Sequence, residues 1–216
     1  MSRITVLGGT GYAGAAVVAE AAKRGHEVTS VSRSEPPTRI DGVEYVIGST
    51  LDSDILDAVL PGRDVVFSAL SPRGDMAGKV EGAVDDVIAR LAGTSTRFGY
   101  TGGASSLHTA EGGPTLWDVT NEHIPAEVKP EVQTGITVLE TLRNSPESLD
   151  WFYVSPPRDF GSWLGTPDKG AYQLGGDVLL TDADDASTIS AADLAIAIVD
   201  EIEKPAHHRA RFTAIH

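Results

Sequence analysis

A chain of 216 residues is long enough for one well-packed domain and too short for two ordinary enzyme domains. It has no cysteine, which excludes disulfides, thiolate nucleophiles, zinc–thiolate sites and iron–sulfur clusters. A net charge of -14 argues against nucleic acid as a partner, because phosphate backbones are bound by basic faces.

The charge is uneven. Residues 1–40 hold five basic residues (Arg3, Lys23, Arg24, Arg33, Arg39) against three acidic ones, so the other residues carry -16. An anionic ligand is therefore expected at the N-terminal end. No apolar run approaches the roughly 18 to 20 residues that span a bilayer, and no charged-then-apolar leader precedes Ile4. The expectation is a soluble, cytoplasmic protein without a membrane partner, a monomer or small homo-oligomer.

In chain order, RITVLG reads as a strand, and YAGAAVVAEAAKRG as an Ala-rich helix stopped at Gly25. HEVTSVSR and VEYVIG are strands, LDSDILDAVLPG a helix, and RDVVFSAL a strand covered on both faces. DMAGKVEGAVDDVIARLAG is a helix and TRFGYTGG a strand. The stretch ASSLHTAEGGPTLWDVTNEHIP is a loop long enough to suggest function. AEVKPEVQTGITVLETLRN is a helix that Pro130 starts or kinks, followed by the strand SLDWFYVSPP. From residue 158 to 216 the texture changes: GAYQLGGDVLLTDAD suggests a small extended pair, SAADLAIAIVDEIEK a helix opened by Ser190 and Asp193, and RARFTAI a last strand. The alternation predicts one doubly wound α/β domain over 1–216, a parallel sheet with helices on both faces and a substrate-side extension at 158–216.

Glycines 8, 9, 11 and 14 are too dense for a helix interior, where each costs about 1 kcal/mol relative to Ala. Between a strand and a helix they make sense: Gly8 for a sharp bend, Gly11 for close approach of a diphosphate, Gly14 for contact of helix and strand. The diphosphate contacts expected are Gly8, Thr10, Gly11, Tyr12, Ala13 and Gly14. A phosphate loop at GDMAGKV fails, because Val80 stands where Ser or Thr should bind magnesium. The second strand ends in SVSRS without the carboxylate that would take the ribose hydroxyls of NAD. Either Arg33, with Ser32 and Ser34, grips a 2′-phosphate, or Arg33 is a solvated loop charge; the first predicts NADP(H) over NAD(H).

GGTGYAG, SALSPRG, TGGASSL and the segment from LGGDVLLTDADD to RARFT resemble the atypical short-chain dehydrogenase/reductases with an NAD(P)H-binding Rossmann core, nearest the group provisionally named NADH-flavin reductases. The resemblance covers essentially the whole chain. It implies strand order 3-2-1-4-5-6, with Ser68, Ala69 and Leu70 beneath the cofactor and Ser49, Thr50 and Leu51 bordering the adenine. Thr101, Gly102 and Gly103 would complete the cofactor cleft, and Pro156 is expected to close over the nicotinamide.

The Tyr-x-x-x-Lys pair of the wider superfamily is missing: the fourth residue after each tyrosine is Ala16, Ser49, Ala104, Pro157 or Gly176. Without that acid a ketone is a poor substrate, whereas a flavin or quinone spreads the arriving electron pair over its rings. The expected function is therefore NAD(P)H-dependent hydride transfer to a small-molecule acceptor such as FMN or a quinone. Ser105 and Ser106 either serve this chemistry or are ordinary turn residues. Phe160 and Trp163 are candidate acceptor walls, Trp163 equally a surface anchor, and His108 is a proton donor or a solvated loop histidine. GASSL lacks the last glycine of a nucleophile elbow, and the six histidines show no metal spacing. The alternative is a non-catalytic redox sensor that binds the same coenzyme.

Overall fold

Alternation of two kinds of core residue along each strand organises the molecule, whose computed structural model describes residues 1–216. Strands β1 (Arg3–Leu7), β2 (Glu27–Ser32), β3 (Val43–Ile47), β4 (Val65–Ser68), β5 (Arg97–Thr101), β6 (Trp151–Ser155), β7 (Gln173–Gly175) and β8 (Ala210–Ile215) form one sheet in the order β3-β2-β1-β4-β5-β6-β8-β7. All neighbours are parallel except β7 and β8. The helices are α1 (Tyr12–Lys23), α2 (Ser53–Val59), α3 (Val80–Leu91), α4 (Leu116–Thr120), α5 (Lys129–Arg143) and α6 (Ala191–Glu203).

Successive strand residues face opposite sides, so each central strand feeds two cores. Ile4, Val6, Phe67, Phe152, Val154 and Phe212 pack with α1 and α6. Leu7, Val66, Phe98, Tyr100, Trp151 and Tyr153 pack with α2, α3 and α5 on the other side. No helix is long and apolar enough to cross a membrane.

The expected order 3-2-1-4-5-6 is present and is extended by β8 and β7. Two local expectations need correction. The extended pair at 170–184 does not form: β7 joins β8, while Val178 makes a bridge to His108. Asp193 does not close a capping box on Ser190. Ser190 Oγ accepts from the Asp193 amide at 3.0 Å, but the Asp193 carboxylate accepts from the amides of Lys169 (2.6 Å) and Gly170 (2.9 Å) and lies 2.7 Å from His216 Nε2. The carboxylate thereby ties residues 169–170 to the last helix. The long loop is also more ordered than expected, with a 3₁₀ turn at Ala104–Ser106 and a full capping box from Thr115 to Asp118 opening α4.

Candidate functional site

The turn between β1 and α1 shows what each glycine is for. Gly8 has φ +82°, a conformation that favours glycine, and a Cβ there would stand 2.8 Å from the Ala69 carbonyl oxygen. A Cβ on Gly14 would come to 2.2 Å from the Gly8 carbonyl oxygen, and one on Gly9 to 2.2 Å from Ser30 Oγ. These three are demanded by the chain's own packing. Gly11 is not: its φ is -75°, and the nearest atom to an added Cβ is 3.4 Å away. Gly11 lines both of the clefts described below, so its bareness suits something lying over the turn.

The amides sort in the same way. Those of Gly8 and Gly9 donate to the Val31 carbonyl at 2.9 and 3.2 Å, and that of Gly11 to the Gly8 carbonyl at 3.0 Å. The amides of Tyr12 and Ala13 open the helix and have no backbone acceptor. With no acidic residue in the first turn, those donors and the positive end of the helix fit an anion.

On one side of the turn a cleft of about 590 Å³ is lined by Gly8, Thr10, Ser32, Arg33, Gly48, Thr50 and Arg73, among others. Arg33 Nη1 is 3.2 Å from Asp75 Oδ2 in an exposed pair. Such pairs contribute at most about 1 kcal/mol, so the guanidinium is free to turn to a better anion. Ser32 Oγ donates to the Ser34 carbonyl at 2.8 Å, and both serines line the cleft beside Arg33. Ser49 Oγ accepts from the Leu51 amide at 3.2 Å. Neither Ser49 nor Leu51 lines the cleft; their neighbours Gly48 and Thr50 do. Arg73 was not among the expected contacts, and it borders both clefts.

On the other side a cavity of about 290 Å³ is lined by Gly11, Tyr12, Ala13, Ala69, Leu70, Thr101, Gly102, Gly103, Ser105, Ser106, Phe160 and Trp163, together with residues of α5. Phe160 leans on Tyr12 with ring centres 5.1 Å apart. Trp163, 67% exposed, lies beside Arg73, whose guanidinium carbon is 5.5 Å from the indole centre and whose Nε donates to Glu131 at 2.6 Å. Tyr100, also missed in the sequence, reaches this cavity from β5 and stacks on Tyr153 at 5.6 Å. The Tyr153 hydroxyl donates to the Gly135 carbonyl at 2.9 Å and accepts from the Gly103 amide at 3.3 Å. Burial pushes its phenol up to about 12, and burial raises Tyr100 as well, so both stay neutral. Gly102 is bare because Tyr153 Oη occupies the space of a Cβ, at 1.5 Å. Thr101 Oγ1 is buried without a partner in the chain, an unmet polar group that suits an amide-bearing ligand.

Three expected residues lie elsewhere. His108 faces away: its Nδ1 is 2.7 Å from the Gly113 carbonyl, and it lines neither cleft, which removes it as the proton donor. Pro156 is buried and lines neither cleft. Ser68 is buried beneath the cleft floor, where the next residues, Ala69 and Leu70, are the ones that face it.

A parallel sheet with a glycine turn after its first strand, and clefts at the carboxyl ends of β1 and β4 where the strand order reverses, defines a Rossmann-type α/β protein. Residues 8–205 match the NAD(P)H-binding family model, and the chain belongs to that family. It is 30% identical over 217 residues to the uncharacterized protein YwnB of Bacillus subtilis, covering 99% of this chain and 98% of that one. A Streptococcus pneumoniae protein, provisionally named an NADH-flavin reductase, is 33% identical, with a TM-score of 0.88 and all of both chains covered. A short-chain dehydrogenase/reductase from Veillonella parvula, solved with NADP, shares the fold at 18% identity and a TM-score of 0.75, covering 100% of this chain and 95% of that one. These comparisons bear out the NAD(P)H-binding Rossmann core and the likeness to the group provisionally named NADH-flavin reductases.

Proposed function

We propose that this protein is an NAD(P)H-dependent oxidoreductase that passes a hydride to a flavin or quinone-like acceptor. The observation that carries the reading is the cavity beside the glycine turn, walled by Phe160 and Trp163 and without a tyrosine–lysine acid pair. The name of the similar Streptococcus pneumoniae protein points the same way. Bound reduced coenzyme supplies a hydride from its nicotinamide ring. The amides of Tyr12 and Ala13 hold the diphosphate, while Ala69 and Leu70 provide the floor. Phe160 and Trp163 give a flat acceptor its stacking surface, and positioning supplies most of the rate. A reductase of this kind works where reduced coenzyme is regenerated, so we place it in the cytoplasm.

The test is loss of NADPH absorbance with FMN, riboflavin or menadione. Turnover with any of them is the expected result. Coenzyme binding with no turnover on all three would favour a redox sensor, which the missing acid pair also suits.

Arg33 and Arg73 are the cations that border the cleft on the ribose side, and we assign Arg33 to the 2′-phosphate. One charge-assisted bond contributes about 1.5 to 3 kcal/mol. Arg33→Ala is therefore expected to raise the dissociation constant for NADPH about 10-fold and leave that for NADH unchanged, by calorimetry. Equal weakening of both coenzymes would remove Arg33 from phosphate recognition.

A further inference from the structure

Arg211 lies on β8, and its side chain is only 1% exposed. A guanidinium so buried needs its donors met. Nε donates to Asp177 Oδ1 at 2.8 Å, and Nη2 donates to the same oxygen and, at 3.3 Å, to the Asp177 carbonyl. Nη1 donates to Ser106 Oγ at 2.8 Å. The direction of that last bond matters. A guanidinium has no acceptor, so the serine oxygen only receives, and its own proton is left for another partner. No atom of the chain takes that proton, and Ser106 lines the acceptor cavity. The same aspartate steadies the loop, since its carbonyl accepts from the His108 amide at 2.8 Å.

We propose that Arg211 is a positioning residue of the acceptor site: anchored by Asp177, it occupies one lone pair of Ser106 Oγ and turns that hydroxyl into a hydrogen-bond donor for a ring carbonyl of the acceptor. The proposal rests on the flavin-or-quinone reading above. Ring carbonyl oxygens of both classes become more negative on reduction. A positive charge behind the serine oxygen strengthens its O–H as a donor, and a donor fixed before the reaction lowers the barrier more than it tightens ground-state binding. No covalent bond to the protein forms, and water supplies the proton that completes the reduced product.

The test uses the full chain with riboflavin, FMN and menadione. In Ser106→Ala and Arg211→Met, kcat is expected to fall about 10- to 100-fold with the KM for NADPH unchanged, and the double variant to be no worse than the worse single. Arg211→Lys, which keeps the charge but loses the fork, should recover part of the loss. Asp177→Asn, at a more exposed position that puts no new group in the core, should lower kcat several-fold and keeps the question open to measurement if Arg211→Met folds poorly. A readout independent of turnover is the infrared carbonyl band of bound riboflavin without coenzyme: it should move to higher wavenumber in Ser106→Ala and in each variant that disturbs Arg211. A purely structural Arg211 would lower the melting temperature and leave that band in place. A wild-type protein that neither binds flavin nor reduces quinone overturns the acceptor reading and this proposal together. A wild type that binds and turns over, with Ser106 and Arg211 effects that multiply or with no band shift in the folded Arg211 and Asp177 variants, overturns the positioning role alone.

Discussion

Gly11→Val is expected to raise the dissociation constants for NADPH and NADH alike by at least about 100-fold while the protein stays folded. The backbone at Gly11 is ordinary, and an added Cβ meets nothing closer than 3.4 Å, so the fold should lose no more than about 1 kcal/mol for a poorer helix cap. Over the helix start, however, the branched side chain fills the space through which a diphosphate must approach the Tyr12 and Ala13 amides. Two charge-assisted bonds lost at about 1.5 kcal/mol each already amount to a factor of about 100. Gly14→Ala provides the contrast. Its Cβ would be driven to 2.2 Å from the Gly8 carbonyl oxygen, backbone against backbone, so stability should fall first, by about 1 to 3 kcal/mol. Calorimetry and thermal unfolding on both variants separate the two roles. Tight coenzyme binding by Gly11→Val would refute the assignment of the turn.

The second large effect is on stability. Arg97 and Glu201, both nearly inaccessible, meet where β5 passes the end of α6, with Arg97 Nη2 donating to Glu201 Oε1 at 2.6 Å. Arg97 also donates to the carbonyls of Glu201 (3.1 Å) and His207 (2.6 Å) and, through Nε, to Asp150 at 3.1 Å. Glu201 accepts from the amides of Ala206 (3.1 Å) and His207 (3.0 Å) and has His207 Nδ1 at 2.7 Å. Removing one member strands the other, so Glu201→Ala should cost about 3 to 5 kcal/mol in urea unfolding. The pair also has a pH signature. Burial pushes the Glu201 carboxyl up, but the bonds from His207, Arg97 and the Ala206 amide outweigh it and hold the group below the usual range. A carboxyl with a lowered folded pKa contributes stability above its unfolded value of about 4.3, and that contribution is lost as pH falls through the folded value. Glu201→Gln should therefore show a shallower loss of stability on the acid side than the natural chain. An unchanged acid slope would mean that other carboxylates dominate.

Local signals in the sequence carried the nucleotide half. Four glycines between an apolar strand and an Ala-rich helix admit few other arrangements, and the alternating strands and helices led directly to the parallel sheet. What escaped notice depends on partners far apart in the chain. Arg97 and Glu201 are 104 residues apart, and Arg211 and Ser106 are 105, so no window of sequence contains either pair. Arg73 carries no local signal in the sequence, and only the fold brings it to the rim of both clefts. The errors have physical causes too. Residues 170–184 have the turn chemistry of a hairpin, but β7 finds the open edge of β8, and Val178 is held by the His108 segment. His108 stood close in sequence to the candidate serines, yet the bond to Gly113 turns its ring away from them.

The place of β8 within the sheet sets an order of events during translation. The coenzyme turn is encoded at residues 8–14, and the strands beside it leave the ribosome early. Arg211 belongs to a strand that inserts between β6 and β7 only after residues 210–215 have emerged. The Arg211–Ser106 bond therefore forms last, and on the proposed reading the acceptor side of the site is completed only when β8 docks, after the residues of the coenzyme side have been made.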